Sequence, residues 1–178
     1  SLTMFIFRLM PLDAASATGG LIGRTLGPRM AASRKAIRNL EQTMPELTAE
    51  QTQHIITGMW DNLGRVMAEY PHLEKIGKER VVVANHNTVE KLMREDRPCL
   101  MVAGHCGNWV ISGAAMLFAF KKPMDITYRA PNNPLPDRLL IKARGLTGQF
   151  RAYAKSRSGG QALIRAMGEG RDIAIRID

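Results

Sequence analysis

The chain has 178 residues, of which 45% are hydrophobic and 23% are charged, and its formal net charge at pH 7 is +9. These values are typical of an ordinary globular protein with enough apolar material for a core, and they exclude a disordered tail, a collagen and a disulfide scaffold. No signal-peptide pattern precedes the two cysteines, Cys99 and Cys106, so we expect a reducing compartment and no disulfide.

The first 30 residues are apolar, but charged side chains and glycines interrupt them. They are too polar for a membrane-spanning helix, which needs about 20 apolar residues. Six of the seven residues at 4–10 are apolar, which fits an amphipathic anchor in a membrane interface and fits packing against the rest of the protein equally well. Glycines weaken a helix in this segment. They are Gly19, Gly20, Gly23 and Gly27.

The clearest predicted helix follows Thr48. Thr48 and Gln51 have the spacing of a capping box, in which two side chains and two backbone N–H groups satisfy one another. Apolar residues then recur on one helical face, and the helix is predicted to end before Pro71. These apolar residues are Ile55, Ile56, Met59, Trp60, Leu63, Val66 and Met67.

Beyond Pro71, short apolar runs alternate with helical stretches. The predicted strands are 81–84, 99–103, 124–128 and 173–177, and the predicted helices are 88–94, 109–120, 135–144 and 160–167. This alternation is typical of an α/β fold with a mixed, partly parallel sheet flanked by helices. No repeat or long linker divides the chain, so we expect a single domain over residues 1–178. The sequence stops within an apolar alternation, which predicts a fragment truncated at the C-terminus.

Residues 98–120 contain no Asp, Glu, Lys or Arg, and by length alone they could cross a bilayer. Their middle reads Gly104-His105-Cys106-Gly107-Asn108, and these polar and turn-forming residues favour a strand, a turn and a helix instead. In this interpretation Asn108 caps the helix, and His105 follows the carboxyl end of a strand, where α/β proteins bind their ligands.

His105 is the candidate general base, because histidine is the side chain that gains and loses a proton near neutral pH. Gly104 and Gly107 allow the backbone to approach a substrate, and the N–H groups that open the following helix could hold an oxyanion. A buried histidine with a satisfied hydrogen bond is the alternative. The sequence has no metal-ligand spacing and no glycine-rich phosphate loop, so we expect neither a metal nor a cofactor.

The positive charge is concentrated near the C-terminus, with a net charge of +7 in residues 121–178 and +2 in residues 1–120. Residues 138–168 contain seven basic and no acidic side chains. Such a surface is predicted to meet an anion, which could be nucleic acid, a phosphorylated lipid, an anionic membrane or an acidic carrier protein, and a solvated basic surface fits equally well. Few aromatic residues interleave with the basic ones, so no nucleic acid is expected as a partner.

Several stretches in chain order carry a resemblance to a known family. They are Arg38-Asn39-Leu40, Met44-Pro45-Glu46, Trp60-Asp61-Asn62-Leu63-Gly64-Arg65 with Glu69, Gly104-His105-Cys106-Gly107-Asn108-Trp109, Tyr128-Arg129-Ala130-Pro131-Asn132-Asn133-Pro134 with Asp137 and Arg144, Gly168-Glu169-Gly170, and Asp178. In this order and spacing the chain resembles the late (lauroyl/myristoyl) acyltransferases of lipid A biosynthesis, within the lysophospholipid acyltransferase superfamily. Essentially the whole chain is covered.

The resemblance implies a lysophospholipid-acyltransferase-like fold and an acyltransferase that acts on groups other than amino-acyl groups. A fatty acyl chain would move from acyl carrier protein to a hydroxyl of a Kdo-bearing lipid A precursor, without a cofactor. The partners would be the carrier protein, the precursor and the anionic surface of the inner membrane. The protein would act at the cytoplasmic face of that membrane, peripherally or anchored through residues 1–30.

The resemblance also assigns site residues. His105 corresponds to the family's general base and Asp178 to a second catalytic position. The positions that correspond to substrate binding are Gly107, Asn108, Arg129, Asn132 and Arg144.

The chain departs from the family pattern at the acid. In the family pattern, four residues separate the histidine from an acid. In this chain the corresponding position is Val110. Valine can neither accept a hydrogen bond from an imidazole nor balance its charge. Asp178 or Glu69 could replace the missing acid. Two hypotheses follow, an active acyltransferase and a catalytically impaired protein that binds the lipid or the carrier without turnover.

Overall fold

A computed structural model of the chain describes residues 2–95, 97–104, 106–108, 110–118, 120–121, 124–128 and 151–176. The chain divides into two compact units, residues 1–70 and residues 71–178. Among the described helices, none combines the length and the apolar character that crossing a membrane requires.

The first unit is built from helices. They are α1 (Leu2–Leu9), α2 (Leu12–Leu26), α3 (Ala31–Thr43) and α4 (Ala49–Glu69), with a 3-10 turn at Gly27–Arg29. The predicted capping box of α4 is confirmed, because the Thr48 hydroxyl accepts from the N–H of Gln51 at 3.2 Å and the Gln51 side chain accepts from the N–H of Thr48 at 2.8 Å. The predicted end before Pro71 is also confirmed.

The sequence predicted that the glycines near the N-terminus weaken a helix, but Gly19, Gly20 and Gly23 lie within α2, where it packs on α4. A Cβ atom added at Gly19 would overlap the carbonyl oxygen of Gly64, and one added at Gly23 would overlap that of Trp60. A Cβ atom at Gly64 would in turn overlap the carbonyl of Gly19. The helix propensity that glycine loses is therefore offset by the close approach of the two backbones.

Replacing Gly64 by alanine is expected to lower the free energy of unfolding by about 1–3 kcal/mol, because the added methyl group forces α2 and α4 apart. Gly58 on the same helix is the matched control, since a Cβ atom there meets nothing within 4 Å. Gly58→Ala should stabilise by up to about 1 kcal/mol through helix propensity. Urea unfolding measures both effects, and equal values for the two variants would contradict this packing.

Polar side chains around Trp60 join α4 to α3 and to α2. The Trp60 indole N–H donates to the hydroxyl of Ser33 at 2.8 Å, and this buried hydroxyl donates to the carbonyl of Gly27 at 2.8 Å. Asp61 accepts from Arg65 at 2.6 Å and from Arg24 at 2.7 Å, and these hydrogen bonds hold the pKa of its carboxyl below its usual range. Part of the Trp60–Arg65 family stretch is thus structural.

The second unit combines helices with a sheet. Its helices are α5 (Leu73–Glu79), α6 (His86–Arg94), α7 (Ile111–Phe118) and α8 (Arg157–Gly168), after a 3-10 turn at Tyr70–His72. Its strands are β1 (Leu100–Ala103), β2 (Asp125–Tyr128), β3 (Ala152–Ala154) and β4 (Ile173–Arg176). The strand order is β1-β4-β2-β3, and every described pairing is parallel. The predicted α/β fold is confirmed, and the sheet that was predicted to be partly parallel is parallel in all its described pairings.

Three predicted strands and three predicted helices of this unit are found, with bounds shifted by a few residues. The strand predicted at 81–84 is wrong, because residues 81–83 have no regular structure and Val82 is almost fully exposed. The helix predicted at 135–144 lies outside the described residues. Strand β3 was not predicted, since three residues are too few to display an alternating pattern.

Helices cover parts of this unit. Helix α8 packs on β3, and α5 packs against α7, where Gly77 lies so close to the backbone of Ala114 that a Cβ atom would meet it at 2.8 Å. The fully buried Ile173 opens β4 between its neighbours β1 and β2.

Candidate functional site

The turn between β1 and α7 has the geometry that its glycines predict. Gly107 has a φ of +54°, in the left-handed region that favours glycine. Gly104 and Cys106 are exposed, and Cys99 and Cys106 are both free thiols. His105 and Trp109, which complete this turn in the sequence, lie outside the described residues. The prediction of a strand, a turn and a helix in residues 98–120 is confirmed where the structure describes them.

Asn108 caps the helix as predicted. Its side-chain oxygen accepts a hydrogen bond from the N–H of Val110 at 3.2 Å, and its carbonyl accepts from the N–H of Ile111 at 3.1 Å. Both N–H groups are therefore occupied, and the sequence-based suggestion that N–H groups opening this helix hold an oxyanion does not apply to these two. Asn108 has a structural role, and its contact with substrate stays a prediction.

Val110 is a buried side chain at the start of this helix. It is 6% exposed, and its carbonyl accepts from the N–H of Ala114 at 3.2 Å. A carboxylate at this position would lose its hydration, which is costly unless a charged or hydrogen-bonding partner compensates for it. The position of the missing family acid is thus an apolar one in this chain.

The carboxyl ends of the strands form one row across the sheet. Ala103 of β1 pairs with Arg176 of β4, and Tyr128 of β2 pairs with Ala154 of β3. Since Ile126 pairs with Ala174 on β4, the same register continued by two residues brings Tyr128 level with Arg176. The last residues of all four strands therefore lie side by side.

Several site residues predicted from the sequence follow this row directly. In the sequence, His105 comes two residues after Ala103, and Asp178 comes two residues after Arg176. Arg129 follows Tyr128. The predicted site residues that lie outside the described residues are His105, Arg129, Asn132, Arg144 and Asp178.

The opposite edge of the sheet holds a buried carboxylate that the sequence did not reveal. Asp125 is fully buried at the start of β2, where it accepts from the Arg171 guanidinium at 2.5 Å, from the Arg151 N–H at 2.9 Å and from the Tyr153 hydroxyl at 3.1 Å. Burial opposes its ionisation, but these hydrogen bonds outweigh burial and hold its pKa below the usual range. The sequence contained one signal for this carboxylate, which is a single acidic residue at the first position of an apolar strand in a basic segment.

A second aspartate, Asp172, makes hydrogen bonds at the same edge of the sheet. The Asp172 carboxylate accepts from the N–H of Cys99 at 2.8 Å, and the N–H of Ile173 donates to the Cys99 carbonyl at 2.9 Å. Asp125 and Asp172 together hold the amino ends of β1, β2, β3 and β4. We therefore assign these two carboxylates to stability rather than to chemistry.

The basic C-terminal third separates into paired and unpaired side chains. Arg151 lies 3.2 Å from Glu169, and Arg171 is bound to Asp125. Lys155, Arg157 and Arg165 are exposed, and among the described residues none of them lies within 4.0 Å of a carboxylate. Among the basic side chains that the structure describes from residue 151 onward, the unpaired charge therefore lies on and next to helix α8.

No group of three or more His, Cys, Asp or Glu side chains in the described part of the chain is arranged to hold a metal ion. A family model described as bacterial lipid A biosynthesis acyltransferase matches residues 2–178 of the chain. A search of curated proteins finds no match.

Proposed function

Because the chain belongs to the bacterial lipid A biosynthesis acyltransferase family, whose model spans residues 2–178, we propose that it transfers a fatty acyl chain from acyl carrier protein to a hydroxyl of a Kdo-bearing lipid A precursor. His105 is the general base. Asp178 orients its imidazole and balances the positive charge that the ring acquires.

The row of strand ends is the observation that supports this proposal. Ala103 and Arg176 are paired on adjacent strands, which lie about 4.8 Å apart in a sheet. His105 and Asp178 each follow one of these residues by two positions. Two residues of chain span at most about 7 Å, and parallel α/β sheets bind their ligands beyond the carboxyl ends of the strands, which supports assigning both residues to one site.

The proposed reaction is a direct transfer without a covalent enzyme intermediate. His105 takes the proton of the acceptor hydroxyl while the hydroxyl oxygen attacks the thioester carbonyl carbon. A C–O bond forms, the C–S bond breaks, and the imidazole passes its proton to the leaving thiolate of the carrier. Arg129 and Arg144 bind phosphates of the lipid, because guanidinium groups suit phosphate oxygens, and Asn132 binds the lipid through its side-chain amide.

The burial of Val110 favours Asp178 as the acid. An apolar side chain that is 6% exposed fits the packing at the start of α7, and its N–H is already bonded to Asn108. The carboxylate of Glu69, the other acid considered, accepts a hydrogen bond from the Ser16 hydroxyl at 2.7 Å within the helical unit. We assign Asp178 to His105 because it follows Arg176, the strand partner of Ala103, by two positions.

Transfer is tested by incubating the chain with acyl carrier protein that bears a fatty acyl thioester and with the Kdo-bearing precursor, followed by mass spectrometry of the lipid. We expect acylated lipid, and a loss of about 10²–10⁴-fold in rate for His105→Ala, the range for removing a general base. Cys106→Ala is the matched control and should keep its activity. If the Cys106 thiol were instead the nucleophile, this variant would lose activity. Binding of carrier or lipid without turnover would instead favour the impaired binding protein.

We also propose that the protein works at the cytoplasmic face of the inner membrane and contacts it through α1. Four apolar side chains of this helix, each at least half exposed, repeat with the spacing of one helical face. They are Leu2, Phe5, Ile6 and Leu9. Arg8 is the one charged side chain of α1, and an anionic leaflet attracts such a cation.

Replacing Phe5 and Leu9 by serine is expected to weaken binding to anionic vesicles at least about tenfold, because burying each apolar side chain contributes about 1.5–3 kcal/mol. Leu92→Ser is the matched control, since Leu92 is an exposed leucine of helix α6. Vesicle flotation measures the binding. If the double variant floats as well as the unmodified chain, α1 is not the contact.

A further inference from the structure

Helix α8 presents one exposed face with an unusual composition. Arg157, Gln161, Ile164 and Arg165 lie on the same side of the helix, because they are four, seven and eight positions apart. All four are exposed, and Ile164 is 73% exposed. The opposite side packs on β3 and buries Ala166.

The charge on this face is not neutralised within the described part of the chain. Arg157 and Arg165 lack a carboxylate within 4.0 Å there, as does Lys155, which precedes the helix. Arg151, by contrast, is paired, because its guanidinium lies 3.2 Å from the carboxylate of Glu169. Arg157 and Arg165, with Lys155 before the helix, are thus unpaired cations that share this surface with an exposed isoleucine. Such a surface suits an acidic partner that also offers an apolar contact.

The position of the helix relates this face to the site. Strand β3 ends at Ala154, level with Tyr128, and the Ser156 hydroxyl caps α8 by accepting from the N–H of Gly159 at 3.1 Å. Helix α8 therefore starts at the carboxyl edge of the sheet, the edge that His105 and Asp178 follow in the sequence. A protein bound near the start of α8 would therefore lie at this edge of the sheet.

We propose that the exposed face of α8 is the docking surface for the acidic acyl carrier protein, an inference that rests on the proposed function. Arg157 and Arg165 pair with carboxylates of the carrier, and Ile164 fills an apolar depression between them. A bilayer is the less suitable occupant, because a membrane-binding helix needs a stripe of apolar side chains, as on α1, rather than a single one.

Fluorescence anisotropy with labelled acyl carrier protein tests the surface directly, without turnover. The double variant Arg157→Glu, Arg165→Glu is expected to raise the dissociation constant at least tenfold, and Ile164→Ala is expected to raise it several-fold. Added salt should weaken binding to the unmodified chain, because it screens exposed charge pairs. Lys91→Glu is the matched control, an exposed lysine on α6 that should leave binding unchanged. Circular dichroism checks that each variant is folded.

A second arm separates this inference from the proposed function. With an acyl-pantetheine thioester that lacks the carrier protein, the double variant should transfer acyl groups as fast as the unmodified chain. If the chain binds the carrier through α8 but transfers nothing from either donor, the proposed function fails and the docking surface stands. Unchanged carrier binding by the double variant, no carrier binding by the unmodified chain, or a loss confined to anionic vesicles would overturn the docking surface.

Discussion

Replacing Asp125 by alanine is expected to lower the free energy of unfolding by about 3 kcal/mol, the scale for removing one partner of a buried ion pair. The substitution leaves the Arg171 guanidinium without its carboxylate and removes the acceptor of the Tyr153 hydroxyl and the Arg151 N–H. We choose the lower part of the usual range, because the Arg171 side chain is 31% exposed and water can reach it. Urea unfolding measures the difference.

The matched control is Glu169→Gln. Glu169 also pairs with an arginine, Arg151, but both side chains are half exposed, so we expect a change within about 1 kcal/mol. Similar losses of unfolding free energy for Asp125→Ala and Glu169→Gln would show that the buried carboxylate does not stabilise the sheet more than an exposed ion pair does.

Acid should remove the contribution of Asp125. Its pKa in the folded protein is held below the ordinary value by the hydrogen bonds that outweigh burial, so folding favours the ionised form. The stabilisation is complete above the ordinary pKa of an aspartate and is lost as the pH falls through the lowered one. The difference in stability between the unmodified chain and Asp125→Asn should therefore shrink in acid, and a constant difference would exclude ionisation as its source.

Replacing Asp178 by asparagine is expected to lower the rate of acyl transfer by about 10⁴. In serine proteases this is the cost of neutralising the acid that orients the catalytic histidine. The acid limb of the pH–rate profile should also move to lower pH, because a neighbouring carboxylate favours the protonated imidazole and its removal favours the neutral base. A structural role alone would change the thermal stability and leave this limb in place.

Val110→Glu provides the matched test, because it puts a carboxylate at the position where the family has its acid. In the Asp178→Asn background we expect it to restore part of the lost rate. In the unmodified chain we expect no gain in rate and a loss of stability, since the added charge enters a site that is 6% exposed. A large gain in the unmodified chain would mean that Asp178 does not serve His105.

Local signals account for what the sequence predicted well. The capping box of Thr48 and Gln51 and the cap at Asn108 join residues two or three positions apart, so the pattern alone identifies them. The strand end before His105 was predicted for the same reason, because a short apolar run is followed by turn-forming residues. The row that places Ala103, Arg176 and Tyr128 side by side needed the order of the strands.

The errors arise where distant residues decide the structure. Three consecutive valines at 81–83 favour a strand, but they pair with no strand in the described part of the chain. The partners of Asp125 come 26 to 46 positions later in the chain, so no local pattern reveals them. Gly19, Gly23 and Gly64 disfavour a helix by propensity, and the backbone contact that reverses this preference joins two separate helices.

The amino ends of the strands are held by hydrogen bonds of two aspartates. Asp125 and Asp172 bond to residues that precede β1, β3 and β4, so these bonds do not involve residues after the carboxyl ends. We therefore expect that residues after Ala103 and Arg176 can be varied, to select for new acyl donors or acceptors, with less loss of stability than a change at Asp125.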